Sequence, residues 1–377
     1  MKFLFAGVPA FGHLLPLAPL AAAARAAGHD TAVLTSGGMV DALRLDLPDT
    51  PVLAAGPMPD ALFAEVARRY PGSDPARNPE PETVASFFAG ARVDLTADAA
   101  ITAARGWGPD VIIAEATDFV GPMVAAALGV PYSVLAFGPA VPPEFTAPMF
   151  SMVAERYASR ELTPSLPTNY IDPTPPSLQQ QGWVAPANHL LFGARPHSRP
   201  VPADYIAPPA TPGKTRVLVT LGTVFSSEET VEAIIESIDL GRFDIVATVA
   251  IQPDDVLPEN RDGVTFVRFV PLGELLRGVS LVVNSGGAGT VLASFSEALP
   301  MVIMPQGADQ FINAAAAANS GAAVVVSSPS EVGAALHQLV DDDSATRAAR
   351  RVADEMAAMP TPADVISTVV AQVTASA

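Results

Sequence analysis

Short apolar runs alternate along the first half of the chain with segments in which apolar residues recur at helical spacing. The runs are rich in Val, Ile, Leu and Phe, which is typical of buried strands, whereas the segments between them are rich in alanine. Strands that alternate with helices form a parallel sheet with helices on both faces. The first half is therefore predicted to be a doubly wound α/β domain. Its strands are predicted at 2–8, 31–35, 111–114 and 132–137, and its helices at 15–27 and 120–128.

The alternation restarts in the second half, after a proline-dense stretch at 195–213. Proline restricts the backbone, so this stretch is predicted to be a semi-rigid linker. The fold class is therefore α/β, with two doubly wound Rossmann-like domains and a ligand between them. We assign 1–205 to the first domain, 206–214 to the linker and 215–360 to the second domain. The second domain has predicted strands at 216–221, 244–249, 264–269, 281–283 and 301–304, and predicted helices at 231–237, 291–299 and 311–319.

The C-terminal stretch, 361–377, carries the signals of one more helix. Thr361 is suited to cap the N-terminus of a helix, and Pro362 is suited to its first position. The apolar residues that follow recur at helical spacing and form one stripe. Such a stripe must pack on something, and we predict that this helix crosses back to the first domain. The stripe comprises Val365, Ile366, Val369, Val370 and Val373.

The N-terminal stretch, 1–24, contains one lysine and an apolar run, as a secretory signal does. However, Pro9, Gly12, His13 and Pro16 interrupt the run. A strand, a loop and a helix are therefore the better interpretation. No stretch reaches ~18 unbroken apolar residues, so no membrane span is predicted and the protein is expected to be cytoplasmic.

The composition narrows the possible ligands. The net charge of −18 argues against binding to nucleic acid or to an anionic membrane, because both need clustered Lys and Arg. It also repels small anions, so an anionic ligand must be held by local features. The chain has no cysteine, which excludes disulfides, thiolate metal sites and cysteine nucleophiles.

A turn of small residues at 286–290 follows a predicted strand and opens onto a predicted helix. The first amides of a helix have free N–H groups and a partial positive charge, and glycines let the backbone approach an anion closely. The polar residues Gln306, Asp309 and Gln310 follow the next strand and would reach a sugar carried by that anion. The segment therefore predicts a site for a sugar phosphate, although such a turn by itself also occurs where only close packing is needed.

Three motifs then occur in the order found in one enzyme family. They are PxxGHxxP at 9–16, LGT at 221–223, and GGAGT followed by PxGADQ within 286–310. Together they resemble the family 1 glycosyltransferases of the GT-B fold, especially bacterial enzymes that attach deoxysugars to polyketides and other natural products. The resemblance covers nearly the whole chain. It implies an N-terminal acceptor domain, a C-terminal domain for a TDP- or UDP-sugar, and an inverting transfer that needs neither a metal nor a further cofactor.

The resemblance also implies which residues bind the donor. Phe269 matches an aromatic residue that stacks on uracil or thymine, and the backbone of Val270 would read the edge of the base. Asp309 and Gln310 match a pair that binds sugar hydroxyls, and Gln306 is grouped with them. Phe269 could instead be a core aromatic, and Asp309 a helix N-cap. The diphosphate is assigned to Gly222, Thr223, Ser285, Gly286, Gly287, Gly289 and Thr290.

Ser285 departs from the family pattern, which usually has histidine here in an HGG triplet. A serine hydroxyl still donates a hydrogen bond, but the side chain is shorter and never cationic. The glycine turn and the helix amides remain, so we expect diphosphate binding to be weakened rather than lost. The change also fits an altered donor or a member that has lost transfer.

His13 matches the position of the family's catalytic base. It follows the first predicted strand, at the carboxyl edge of the sheet, where α/β folds place their chemistry. Imidazole titrates near neutral pH, and a carboxylate behind it would orient the ring and stabilise the imidazolium. Glu115 stands at the family's aspartate position, and Asp118 is the second candidate. The extra methylene of Glu115 leaves the relay geometry open, and Glu115 could instead be a solvated loop carboxylate.

The acceptor is predicted to be a small apolar ring compound. The regions 60–90 and 145–180 are rich in Phe, Met and Pro, which suits such a pocket. Phe11, Phe137 and Phe145 are the candidate acceptor-binding residues.

Other functions fit the same residues. A C-glycosyltransferase on an aromatic polyketide would keep the fold and the donor site. A non-catalytic GT-B homologue is supported by Ser285, whereas a sugar-nucleotide epimerase would need clustered acid/base residues that the sequence does not show. The protein is expected to act as a monomer or a homodimer.

Overall fold

A computed structural model describes residues 1–201, 205–222, 227–250 and 256–376. They fold into two compact units, each with its own parallel sheet. Unit 1 comprises Met1–Thr174, Gln181–Gly193 and Met359–Ala377, and unit 2 comprises Pro175–Gln180 and Ala194–Ala358.

Seven parallel strands form the sheet of unit 1. They are β1 (Lys2–Ala6), β2 (Asp30–Thr35), β3 (Val52–Ala54), β4 (Val111–Glu115), β5 (Tyr132–Leu135), β6 (Tyr170–Asp172) and β7 (His189–Leu191). Their order is β3-β2-β1-β4-β5-β6-β7, so the direction of winding reverses between β1 and β4. At this reversal the connections after the two strands diverge, which leaves room for a ligand at their carboxyl ends.

Helices cover both faces of this sheet, because its strands are apolar on both faces. Phe3 and Phe5 of β1 face one core, whereas Leu4 and Ala6 face the other. The helices are α1 (Phe11–Leu14), α2 (Ala18–Ala26), α3 (Val40–Leu43), α4 (Pro59–Arg69), α5 (Pro81–Ala85), α6 (Arg92–Asp94), α7 (Ala97–Trp107), α8 (Val120–Leu128) and α9 (Pro143–Ser159).

Unit 2 repeats this plan with six parallel strands. They are β8 (Thr215–Thr220), β9 (Phe243–Ala250), β10 (Val264–Arg268), β11 (Leu281–Asn284), β12 (Met301–Ile303) and β13 (Ala323–Val325). Their order is β10-β9-β8-β11-β12-β13, so the winding reverses between β8 and β11. The helices are α10 (Glu228–Glu236), α11 (Leu272–Leu275), α12 (Ala288–Ser296), α13 (Gln310–Asn319), α14 (Val332–Asp341) and α15 (Ser344–Ala357).

The last helix, α16 (Pro362–Ser376), belongs to unit 1 and packs on α2, as the apolar stripe predicts. Val365, Ile366 and Val369 are buried in the same core as Phe3 and Phe5. The Thr361 hydroxyl accepts from the Asp364 amide at 3.3 Å, and the Asp364 carboxylate accepts from the Thr361 amide at 2.8 Å. This reciprocal pair is a capping box, and it fixes where α16 begins.

Several predicted boundaries differ from the structure. The predicted helix at 15–27 begins with a 3-10 turn at Leu15–Leu17 and continues as α2, because Pro16 and Pro19 interrupt the regular helix, and α1 precedes it. The predicted helix at 291–299 begins earlier, so that Gly289 and Thr290 lie in its first turn. The predicted strand at 264–269 ends at Arg268, which places Phe269 in the following loop.

The proline-dense stretch is held against unit 2 rather than standing apart from it. Arg216, at the start of β8, donates to the carbonyls of Pro208 and Pro209 and pairs with Asp244. These bonds fix the stretch just before β8.

No helix in the described part of the chain is both long and apolar enough to cross a membrane.

The packing of α16 leads to a stability prediction. Ile366 is 1% exposed, so Ile366→Ala should leave a cavity and lower the free energy of unfolding by roughly 2–5 kcal/mol. Denaturant unfolding followed by circular dichroism would measure the change. Ser367→Ala, on the exposed face of the same helix, is the matched control and should have little effect. Equal midpoints for the two variants would show that α16 does not stabilise unit 1.

Candidate active site

Two side chains meet at the point where winding reverses in unit 1. His13 lies in α1, shortly after β1, and Glu115 is the last residue of β4. Because β1 and β4 are paired, with Ala6 opposite Ala114, their carboxyl ends lie side by side. Nδ1 of His13 is 3.0 Å from Oε2 of Glu115. The Glu115 side chain is completely buried, whereas that of His13 is 20% exposed.

This pairing sets the chemistry of the imidazole. A carboxylate oxygen accepts a hydrogen bond, so the ring hydrogen is assigned to Nδ1 in the neutral form. Nε2 then has a lone pair that can take a proton. If His13 becomes protonated, the buried carboxylate stabilises the imidazolium.

Thr117 explains how the longer glutamate fits beside His13. Its backbone amide donates to Oε1 of Glu115 at 2.8 Å, and its hydroxyl lies 2.9 and 3.0 Å from the two carboxylate oxygens. The hydroxyl is also 3.3 Å from Nδ1 of His13. The Glu115 side chain thus folds back toward the backbone of Thr117. This folding accommodates the additional methylene of glutamate.

Asp118 lies in a different interaction. It pairs with the fully buried Arg92, with Nε and Oδ1 at 3.3 Å, and accepts from the Gly121 amide. Burial raises the pKa of the Asp118 carboxyl, the Arg92 charge opposes this, and the charge of nearby Glu115 adds to it. Arg92 also donates to the carbonyl of Gly7 at 3.2 Å, in the loop that leads from β1 to His13. The structure therefore pairs Glu115 with His13 and Asp118 with Arg92.

Aromatic rings flank His13. The ring centroid of Phe137 is 5.4 Å from that of His13, and the centroid of Phe88 is 5.7 Å away. Phe88 belongs to a π-helical segment, Ser86–Ala91, and such segments frequently occur at functional sites. Of the two other candidates for the acceptor site, Phe11 packs against the core that contains α2, and Phe145 packs against the core on the opposite face of the sheet.

In unit 2 the glycine turn follows β11, where the winding reverses. Gly286 has a φ of +88°, and a Cβ atom there would lie 2.8 Å from the Gln310 carbonyl oxygen. Only glycine fits both conditions. Gly287 is the N-cap of α12, and among the described residues no group accepts from the amides of Gly287, Ala288 or Gly289. The turn thus presents three amides and the positive end of a helix, which suits an anion.

The hydroxyl hydrogen of Ser285 does not point toward the open amides of the turn. Its hydroxyl donates to the carbonyl of Leu221 at 3.1 Å, and the residue is 3% exposed. Because β8 and β11 are paired, the residues after the two strands are neighbours. A hydroxyl has one hydrogen, so the donor that was expected to face a diphosphate is used within unit 2. Gly222, with a φ of +76°, follows Leu221.

Thr223, also assigned to the diphosphate, lies outside the described residues.

The residues expected to bind the sugar lie at the start of α13. Oε1 of Gln310 accepts from the amides of Gln306 and Gly307, at 2.8 and 3.3 Å. Gln310 can therefore donate hydrogen bonds to a ligand through the hydrogens on Nε2. Asp309 is the N-cap residue of α13 by position, yet its side chain makes no capping bond and instead accepts from Nδ2 of Asn313 at 2.7 Å.

The two residues assigned to the nucleotide base of the donor follow β10. Phe269 is partly buried in the loop, whereas Val270 is 4% exposed. Both are placed after the carboxyl end of a strand, as the other candidate residues of unit 2 are.

Four residues beside these sites were not found from the sequence. Thr117 and Asn313 had a local signal. Thr117 lies two residues after Glu115, and Asn313 lies one helical turn after Asp309. Phe88 lies within the region 60–90 that is predicted to line the acceptor pocket, but nothing in the sequence singles it out there. Arg92 had no local signal, because it reaches the loop before His13 only through the packing of the chain. The four are Phe88, Arg92, Thr117 and Asn313.

Sequence models of one family match both halves of the chain. The N-terminal domain of "Erythromycin biosynthesis protein CIII-like" proteins matches residues 22–188, and the C-terminal domain of the same family matches residues 233–372.

Individual relatives agree with these matches. L-Demethylnoviosyl transferase of Streptomyces niveus is 31% identical over 96% of this chain and 96% of its own length. Elloramycin glycosyltransferase ElmGT of Streptomyces olivaceus is 30% identical over 97% of this chain and 96% of its own. Glycosyltransferase SsfS6 of Streptomyces sp. SF2575, solved in complex with thymidine diphosphate, superimposes with a TM-score of 0.83 at 28% identity, covering 98% of this chain and 99% of that one. The chain therefore belongs to the EryCIII-like family of GT-B glycosyltransferases from antibiotic pathways.

Proposed function

We propose that this glycosyltransferase moves a deoxysugar from a TDP- or UDP-sugar to a hydroxyl group of a small apolar natural product, with inversion and without a metal. The observation that carries the proposal is the contact of 3.0 Å between His13 and the buried Glu115. It gives the imidazole a lone pair at Nε2 and a counter-ion at Nδ1, which the deprotonation of a hydroxyl requires. The rings of Phe88 and Phe137 suit an apolar acceptor.

In the proposed reaction the acceptor oxygen attacks the anomeric carbon while Nε2 of His13 takes the hydroxyl proton. The new bond joins the acceptor oxygen to that carbon, and the bond from the carbon to the diphosphate oxygen breaks. Its electron pair leaves with the nucleoside diphosphate. Glu115 stabilises the imidazolium that forms. Attack opposite the leaving group inverts the anomeric centre.

The donor would be held in unit 2. The open amides of Gly287 to Gly289 and the N-terminus of α12 would bind the diphosphate and stabilise the charge that develops as it leaves. Phe269 would stack on the base, and the backbone of Val270 would read its edge. TDP is favoured over UDP because the similar SsfS6 was solved with thymidine diphosphate.

The sugar would be recognised by one hydrogen-bond acceptor and one hydrogen-bond donor. The carboxylate of Asp309 would accept from sugar hydroxyls. The Nε2 hydrogens of Gln310 would donate to them, since its carbonyl oxygen already accepts from Gln306 and Gly307. Gln306 would border the same space.

Two variants of this function share its donor site. In a C-glycosyltransferase, His13 would take the proton of a phenol, and a ring carbon would attack the anomeric carbon as the nucleoside diphosphate leaves. The proton on that ring carbon then moves to the phenolate oxygen and restores the aromatic ring. A member that binds the nucleotide without transferring sugar is favoured by one observation, the engagement of the Ser285 hydroxyl with Leu221. Analysis of the product linkage tests the first variant, and consumption of a TDP-sugar tests the second.

The role of His13 predicts a clear effect of its removal. His13→Ala should lower kcat about 10²–10⁴-fold, because no other group then takes the hydroxyl proton. The affinity for TDP, measured by calorimetry, should stay the same. His29→Ala is the matched control, because His29 precedes β2 and so lies at the opposite, amino-terminal edge of the sheet. Turnover of His13→Ala at the wild-type rate would remove His13 from the mechanism.

Glu115 should set the pH dependence of transfer. Glu115→Gln keeps the shape but removes the negative charge, so protonation of His13 becomes less favourable. The acid limb of kcat/KM should move to lower pH by about one unit or more, and kcat should fall. Glu115→Asp keeps the charge, so its acid limb should lie close to that of the wild type. A pH–rate profile of Glu115→Gln that overlays the wild-type profile would contradict the proposed relay.

The donor site predicts different results at two adjacent residues. Ser285→Ala should change TDP affinity by less than about threefold, because the lost hydroxyl donates to Leu221 and not to the ligand. Gly286→Ala should weaken binding about tenfold or more, because its φ is positive and a Cβ would strike Gln310. Calorimetric titrations with TDP, UDP and GDP would measure both, and GDP should bind least well. A large loss for Ser285→Ala would show that its side chain turns to the diphosphate.

A further inference from the structure

Asn313 is a buried side chain that holds two parts of the proposed donor site at once. It lies in α13 and is 2% exposed. Nδ2 donates to the carbonyl oxygen of Gly286 at 2.8 Å and to Oδ2 of Asp309 at 2.7 Å. Both of its amide hydrogens are therefore used.

The orientation of this amide follows from its surroundings. Both groups that Asn313 contacts, a carbonyl and a carboxylate, only accept hydrogen bonds. A reversed amide would place its own oxygen against them and leave three acceptors in contact. Only the orientation with Nδ2 toward Gly286 and Asp309 is favourable, so Asn313 acts as a double donor.

The bond to Gly286 has a consequence for its neighbour. The carbonyl of Gly286 and the N–H of Gly287 belong to the same planar peptide group and point in opposite directions. When Asn313 fixes the carbonyl, it also fixes the direction of the Gly287 amide, which is the first of the three open amides of the turn. The amide of Gly286 is fixed as well, because it donates to Oδ1 of the buried Asn284 at 2.7 Å.

We propose that Asn313 is a positioning residue for the donor. It aims the Gly287 amide at the diphosphate and at the same time holds the Asp309 carboxylate toward the sugar, so that both parts of one sugar nucleotide meet prearranged groups. This inference rests on the proposed function of unit 2. The inference goes beyond the proposed function, because it assigns the geometry of the site to a side chain that does not touch the substrate.

The role of Asn313 predicts a loss of nucleotide affinity. Asn313→Ala should raise the Kd for TDP about tenfold, because the Gly286–Gly287 peptide is then free to rotate. The calorimetric stoichiometry should stay the same, which shows that the protein is still folded. Asn319→Ala, on the exposed side of the same helix, is the matched control and should bind TDP as the wild type does.

Asn313→Asp supplies a readout that a merely structural role would not move. Its carboxylate would face that of Asp309 at hydrogen-bond distance, and neither can donate when both are ionised. TDP affinity should therefore be lowest near pH 8, where two negative charges lie beside the proposed diphosphate site, and should recover in part toward pH 5.5, as the two groups come to share a proton. It should still stay below the wild-type affinity, because the shared proton does not restore the bond to Gly286. Asn313→Ala should show no such recovery relative to the wild type.

The double variant N313D/D309N separates the two bonds. It exchanges donor and acceptor between positions 309 and 313. The hydrogen bond between these two side chains is therefore restored, and the repulsion between two carboxylates is removed. The bond to Gly286 is not restored, because an ionised carboxylate has no hydrogen to donate. The melting temperature should rise above that of Asn313→Asp, while TDP binding at pH 8 stays about tenfold weaker than in the wild type.

The outcomes distinguish this inference from the proposed function. Wild-type protein that binds neither TDP nor UDP would remove the donor site, and the role of Asn313 with it. Tight binding by the wild type, together with Kd values for Asn313→Ala within about twofold of it, would remove the role of Asn313 alone. Wild-type affinity in N313D/D309N would likewise show that the bond to Gly286 is not needed.

Discussion

The reversal of winding in each parallel sheet is the constraint on which the rest of the structure depends. Strand β1 is paired with β4, and β8 with β11, although long stretches of chain separate the members of each pair. Parallel pairing brings their carboxyl ends together, and the connections that leave them diverge. Residues at the carboxyl ends of these strands, or just after them, therefore become neighbours. His13 meets Glu115 in this way, and Ser285 meets Leu221.

Burial then decides what these neighbours do. A carboxylate that is removed from water must be paired or hydrogen-bonded, or it takes up a proton. Glu115 is held by both polar groups of Thr117 and by His13, whereas Asp118 has Arg92 as its partner. Arg92 offsets the charge of Asp118, so one negative charge remains to act on His13. Two carboxylates close together in the sequence thus have separate partners.

In the proposed donor site of unit 2, backbone groups rather than charged side chains would hold the anion. The strongly acidic chain repels anions, and the family's usual histidine is replaced by a serine whose hydrogen is already donated. What remains are the amides of the turn and the N-terminus of α12, whose use depends on their direction. Asn284 accepts from the amide of Gly286, and Asn313 donates to its carbonyl oxygen. In the proposed donor site, the orientation of these amides would let a neutral turn bind a diphosphate.

The sequence by itself determined the alternation of strands and helices, the position of α16 and the motifs around His13 and Gly286. These follow from periodicity and from local steric requirements, which neighbouring residues carry. It did not determine the strands β3, β6, β7 and β13, which are three residues each, nor the partners of Glu115 and Asp118. Only the tertiary structure decided that Arg92 lies beside Gly7 and Asn313 beside Gly286. Such contacts join residues far apart in the chain, and no local pattern records which buried donor will meet which buried acceptor.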